Sequence, residues 1–273
     1  STEGYGQNSW LKRSDVLDKG KNILLNGALL IDVELLAKPK RAYVPSNPHT
    51  KNMLALLDSG DNADVTFKVR GTTIPAHKLI IQTNAPLLHS FCPKRGKAAV
   101  QINNTNAEVF RLVLRYIYGG CAPGENEAKR WGKQLIDAAN RYGIVGLKMA
   151  VETTLVECLE IRGFNVVDWL LFADAKTCPL IKEYATSLFT VRAKDLLASN
   201  ESSKLKESPA LMQELFMATS ETCDSDERFG GTATKMTVNE LRVELDKKGL
   251  DVDGSKEMLI SRLEASRKRQ RDE

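Results

Sequence analysis

The sequence predicts an α+β chain that is mostly helical, with a small sheet flanked by helices, then a helical bundle and a separate helix-turn-helix motif. Three observations predict it. Between Asp64 and Ile102, short apolar–polar alternations read as half-buried strands. From Asn106 onward, apolar residues recur at the spacing of one helical face in segment after segment. Between Thr237 and Leu263, two short amphipathic helices follow a stretch rich in Ser, Thr, Gly and Asp.

Residues 1–38 contain Trp10–Leu17 and Gly27–Leu36, the second rich in aliphatic residues as a sheet strand would be. So short a piece cannot bury a core alone and reads as a β remnant of something larger. Pro39, Pro45 and Pro48 mark a linker at 39–50. Lys51–Leu57 is a short apolar helix. Asp64–Val69 is the first strand, and Arg70-Gly71-Thr72-Thr73 a hairpin turn, because Gly tolerates positive φ. Ile74–Ile81 is a second strand running into a helix, and Ala99–Ile102 is the third strand. The helix from Asn106 to Tyr118 carries apolar residues at 109, 110, 113, 114 and 117, and Gly119-Gly120 stops it. After a loop at 121–127, helices are predicted over 128–142 and 146–159. Asn165 is a good N-cap for the next helix, and segments 180–191, 193–198 and 209–218 complete a run of short helices. A flexible linker is placed at 221–234.

In the C-terminal motif, Thr237 and Glu240 form a capping box, and Leu241 and Leu245 share a face. Lys248-Gly249 ends the first helix; Ser255 caps the second, where Met258, Leu259 and Leu263 supply the opposing apolar face.

The chain has 273 residues, 42% hydrophobic and 27% charged, which fits two or three globular units. A formal charge of +4 does not by itself argue for nucleic acid. No apolar run approaches the ~20 residues of a membrane helix, so no membrane partner is expected. Cys92, Cys121, Cys158, Cys178 and Cys223 are odd in number and scattered without a CxxC pair. That favours free thiols in a reducing compartment. His49, His77 and His89 lie at no ligand spacing from them, so neither metal nor cofactor is expected. Nucleophile elbow, phosphate loop, HExxH and dinucleotide fingerprints are all missing, which argues against an enzyme.

The order of elements, with DVTF, IPAHK and EVFRLVLRYIYGG in place, resembles a BTB/POZ domain, here at 51–160. That resemblance implies protein–protein assembly and homodimerisation. It puts Met53, Leu54, Leu56 and Leu57 at a dimer interface; an ordinary core helix is the alternative. It also implies a structural His77 partnered by Asp64. The segment NVVDWLLFADAKTCPLIKEYATSLFTVRAKDLLAS resembles the BACK-like helical extension of the speckle-type POZ protein family, here at 161–220. Residues 1–38 are similar to the C-terminal end of a MATH domain, most of which would lie outside this chain; Tyr5 is a possible substrate-groove residue.

MTVNELRVELDKKGLDVDGSKEMLISRLE resembles a SAP motif, here at 235–265. SAP motifs usually bind duplex DNA, sometimes RNA; a small protein-docking module is the other reading. Lys247, Lys248, Lys256 and Arg262 are the candidate phosphate contacts, with Glu240, Glu244, Asp246, Asp251, Asp253 and Glu257 close by. Arg267, Lys268 and Arg269 lie in a basic tail at 266–273, which reads as a nuclear-import signal, a phosphate-binding arm or a solvated tail.

Together the resemblances imply a nuclear, possibly also cytoplasmic, substrate adaptor of a cullin-RING ubiquitin ligase. Substrate would be presented by the MATH domain, and the SAP motif would tether the assembly to chromatin. The alternative is a nuclear BTB–SAP scaffold without a ligase link. Family adaptors carry an apolar–any–Glu motif for the cullin; here Phe91–Ala98 is short and basic, with no Glu.

Overall fold

The computed structural model describes residues 48–93, 99–158, 165–193, 196, 202–205, 208–221 and 233–272. The expected β remnant at 1–38, Tyr5 within it, most of the linker at 221–234 and the helix at 193–198 (save isolated positions) lie outside these residues.

Helix α1 (Pro48–Ser59) starts within the stretch expected to be linker. Pro48 is no obstacle, since a first-turn N–H has no partner inside the helix. Strands β1 (Val65–Val69) and β2 (Thr72–Ala76) form an antiparallel hairpin, with Val69 opposite Thr72. The turn is the pair Arg70-Gly71, both left-handed at φ 46° and 85°. That geometry matches the twist of the flanking strands, which is why a glycine stands there. Helices α2 (Lys78–Asn84) and α3 (Pro86–His89) follow. Strand β3 (Ala99–Ile102) then pairs parallel to β1, with Val100 beside Phe67, so the order is β2-β1-β3.

Helix α4 (Ala107–Gly119) begins where Asn106 Oδ1 accepts the Val109 N–H at 2.7 Å, and ends at Gly120 with φ 63°. Its apolar face meets the sheet: Phe110 packs edge-on against Phe67 at 5.0 Å and against Tyr142 at 6.0 Å, all three buried. Helices α5 (Glu125–Tyr142) and α6 (Val145–Cys158) pack extensively on each other. Gly132 permits this, because a Cβ there would lie 2.9 Å from a Leu155 methyl.

Four further helices extend the core: α7 (Val166–Ala175), α8 (Pro179–Val191), α9 (Ser202–Leu205) and α10 (Pro209–Glu221). Asn165 caps α7, accepting the Asp168 N–H at 3.1 Å. Val167, Leu170, Phe189, Leu211 and Leu215 form a second apolar cluster. Ala173, Cys178 and Ile181 join it to the first core. Lys133 on α5 also sits 4.8 Å from the Trp169 ring and 5.2 Å from Phe172.

The expected pairing of Asp64 with His77 is replaced by another arrangement. Asp64 Oδ1 accepts the Lys78 N–H at 2.7 Å, satisfying a free donor at the start of α2. His77 is held by Tyr118: its backbone N–H donates to the hydroxyl at 2.7 Å, and Nδ1 lies 2.8 Å from the same oxygen. Nε2 is 2.7 Å from the Asp61 carbonyl, which can only accept, so Nε2 carries a proton. Sequence reasoning picked the acidic neighbour, but the helix terminus claims that carboxylate first.

Burial pushes the Tyr118 phenol up to about 12. A group raised in the folded state stabilises fully below its unfolded value of 10.0, and that stability is lost as pH rises toward 12. Tyr118→Phe is therefore expected to cost about 1–3 kcal/mol at neutral pH by orphaning the His77 N–H. It should also flatten the alkaline fall in stability, read by urea denaturation across that range; an unchanged alkaline slope contradicts the assignment.

Candidate protein and nucleic-acid interfaces

The C-terminal pair is α11 (Val238–Lys247) and α12 (Lys256–Asp272). Thr237 Oγ1 accepts the Glu240 N–H at 3.3 Å, and Glu240 Oε2 accepts the Thr237 N–H at 2.8 Å. This reciprocal cap also holds the Glu240 carboxyl below its ordinary value. Val238, Leu241, Leu245, Leu259 and Leu263 are all buried between the helices.

That cluster does not close on itself. Leu180 at the start of α8 belongs to it, and Val156 of α6 packs against it. The pair is docked on the rest of the chain, and charged groups fix its position. Glu152 of α6 has a fully buried side chain, with Oε1 3.3 Å from Arg242 Nη2 and Oε2 accepting the Leu180 N–H at 3.1 Å. Burial pushes its carboxyl up, against the pull of Arg242 and the Leu180 amide. One turn earlier, Lys148 Nζ meets Asp253 Oδ1 at 2.8 Å with only 3% of its side chain exposed. Glu183 of α8 makes a third link: Oε1 is 2.6 Å from Lys256 Nζ, and Oε2 accepts the Val238 N–H at 3.1 Å.

The seven basic residues singled out in the sequence therefore separate. Lys256 is taken by Glu183. Arg262 is turned inward, its guanidinium bonded to the Asp251 and Asp253 carbonyls and 3.0 Å from the Asp251 carboxylate. Lys247 is exposed and pairs with Glu244 at 2.7 Å. Lys248 and Arg267 are half-buried; Lys268 and Arg269 are exposed. Sequence reading missed Lys148, Glu152, Glu183 and Arg242. The available signal was a Lys and a Glu four apart on the α6 face that also carries Leu147, Val151 and Leu155.

Of the α1 residues expected at a dimer interface, Leu57 lies mostly in the chain's own core, at 8% exposure. Met53 and Leu54 are half-buried against the same core, and Leu56 is half-buried. Leu79, Leu87 and Phe91 are exposed apolar residues on and just after α2 and α3, with Phe91 at 56%. Residues 94–98 of the basic loop lie outside the described residues. Cys92, Cys121, Cys158 and Cys178 are free thiols; burial pushes Cys178 up to about 12. No group of metal ligands occurs among the described residues, and no helix there is long and apolar enough to cross a membrane.

The described fold is a small mixed sheet wrapped by helices, with a two-helix motif docked on it. The chain carries a BTB/POZ domain, matched over residues 53–159, and a SAP domain, matched over residues 232–268. It is similar to BTB/POZ and MATH domain-containing protein 4 of Arabidopsis thaliana, 24% identical over 71% of this chain and 44% of that protein. It is also similar to TD and POZ domain-containing protein 1 of Mus musculus, 26% identical over 64% of this chain and 48% of that protein. The chain thus spans about half the length of these curated relatives. Among solved structures, the BTB domain of human gigaxonin aligns with 41% of this chain and 96% of its own, at 19% identity and a TM-score of 0.31.

Removing Glu152 leaves Arg242 and the Leu180 amide buried without their acceptor. Glu152→Ala is expected to cost about 3 kcal/mol in urea denaturation, because breaking one side of a buried pair strands the other. Glu152→Gln keeps an acceptor for Leu180 and should cost less. Equal and negligible effects from both would show that the clasp is not formed in solution.

Proposed function

We propose that this chain is a self-associating BTB/POZ assembly protein that serves as a substrate adaptor of a cullin-RING ubiquitin ligase, held near nucleic acid in the nucleus by its SAP domain. The observation that carries this reading is the union of a BTB/POZ and a SAP domain on one chain that is similar to proteins named for BTB/POZ and MATH, or TD and POZ, domains. In this reading residues 161–220 are a BACK-like extension. Residues 1–38, with Tyr5, are the end of a substrate-presenting MATH domain. Self-pairing uses the α1 residues Met53, Leu54, Leu56 and Leu57.

A second reading, a nuclear scaffold with no ligase link, is favoured by one observation. Phe91–Ala98 brings Lys94, Arg95 and Lys97 where family adaptors place a Glu. A charge reversal at a docking loop weakens an acid-dependent contact and slows encounter. Both readings share an absence of catalysis: the two matched domains are interaction modules.

Sedimentation equilibrium is expected to give a dimer at micromolar concentration, and Met53→Asp with Leu56→Asp a monomer of unchanged helical content. A wild-type chain that stays monomeric at high micromolar concentration removes the self-pairing core of the proposal. A pull-down with purified cullin then separates the two readings: a stable complex supports the adaptor, and its absence selects the scaffold.

A further inference from the structure

Two cations of the docked helix pair turn toward the rest of the chain, and each meets a carboxylate there. Arg242 of α11 lies 3.3 Å from Glu152, and Lys256 of α12 lies 2.6 Å from Glu183. The two links differ in exposure. The Glu152 side chain is wholly buried and that of Arg242 nearly so, which locks this pair inside the protein. Lys256 and Glu183 keep 33% and 26% of their side chains exposed, and a pair so placed adds little net stability. An external anion can therefore take the place of Glu183 while the Glu152 pair stays intact.

The contacts of Glu183 define what that anion would meet. One oxygen lies 2.6 Å from the Lys256 ammonium, and the other accepts the Val238 N–H at 3.1 Å. That amide opens α11 and has no acceptor inside the helix, so it needs one from elsewhere. A carboxylate gripped by an ammonium and a backbone amide stands where phosphate oxygens make the same two bonds. Glu183 and Lys256 line a cleft of about 370 Å³, together with Lys182, Glu214, Ser255 and Glu257, so a ligand can reach them. Lys182 is held on the far wall by Asp174 at 2.8 Å and Glu214 at 2.6 Å. Glu257 stays beside Lys256 and moderates its charge.

We propose that the Glu183 contact is autoinhibitory. The chain's own carboxylate occupies Lys256 and the Val238 amide, two groups the SAP domain would otherwise offer to a phosphate, and so holds affinity for duplex DNA below what the domain's residues allow. The proposal rests on the nucleic-acid reading of the SAP domain and adds a restraint that the domain acquires only by docking. The contact withheld is to phosphate, so its release is sequence-tolerant and shows in the salt dependence.

The test uses the full chain and a labelled random-sequence DNA duplex, with affinity read by fluorescence anisotropy over a salt series. Glu183→Gln keeps an acceptor for the Val238 N–H but no longer competes for Lys256. It should tighten binding about fivefold, the most that a half-exposed pair withholds, and steepen the log–log salt slope by about 0.9, one added phosphate contact. Glu214→Gln removes the same charge from the same cleft without touching Lys256, and should change affinity by less than about twofold. Lys256→Gln alone should leave affinity within about twofold, and combined with Glu183→Gln it should cancel the gain. Thermal melts establish that each variant is folded at the assay temperature. A Glu183→Gln chain that binds no tighter than the Glu214→Gln chain overturns the autoinhibitory contact and leaves the nucleic-acid reading standing. So does a Lys256→Gln chain that has lost the wild-type affinity. Salt-dependent binding by neither the wild-type nor the Glu183→Gln chain overturns both.

Discussion

A carboxylate taken wholly out of water must be met by donors, and Glu152 is that carboxylate here. It sits on a helix face that otherwise carries Leu147, Val151 and Leu155, all with no exposure. Its two oxygens divide between the Leu180 amide and the Arg242 guanidinium, so one buried charge fixes the start of α8 and the side of α11 against α6. Apolar contacts around Leu180 supply area but little direction. The charged links at Glu152, Lys148 and Glu183 supply the direction. Pairs of this kind add little net stability relative to an apolar replacement, yet an approach that leaves any of them unpaired is costly.

This arrangement changes what the SAP domain can be within the chain. A module on a loose tether offers every face to its ligand. A module that shares an apolar cluster with Val156 and Leu180 has already spent one end on its host. The BTB/POZ and SAP domains are thereby joined by packing as well as by sequence. An assembly formed through α1 and a contact made through α11 and α12 would then be carried by one continuous set of packed helices.

Much of this was legible in the sequence because the signals are local. The strand alternations around Phe67 and Val100, the Asn165 cap, and the Thr237–Glu240 box depend on residues within a few positions of one another. The contacts that were not legible depend on residues far apart. Asp64 was matched to His77 by type, whereas Tyr118, some forty positions away, holds that ring. The carboxylate that Lys256 meets, Glu183, lies far upstream and gives no sign of its target.

The sequence by itself determined which segments become strands and helices and which faces are apolar, since periodicity and capping are properties of neighbours along the chain. Only the tertiary structure decided which carboxylate Lys148, Arg242 and Lys256 each fold against. Whether a lysine is a ligand or a strut depends on what carboxylate folds against it, and that pairing is set by long-range packing that no local pattern encodes.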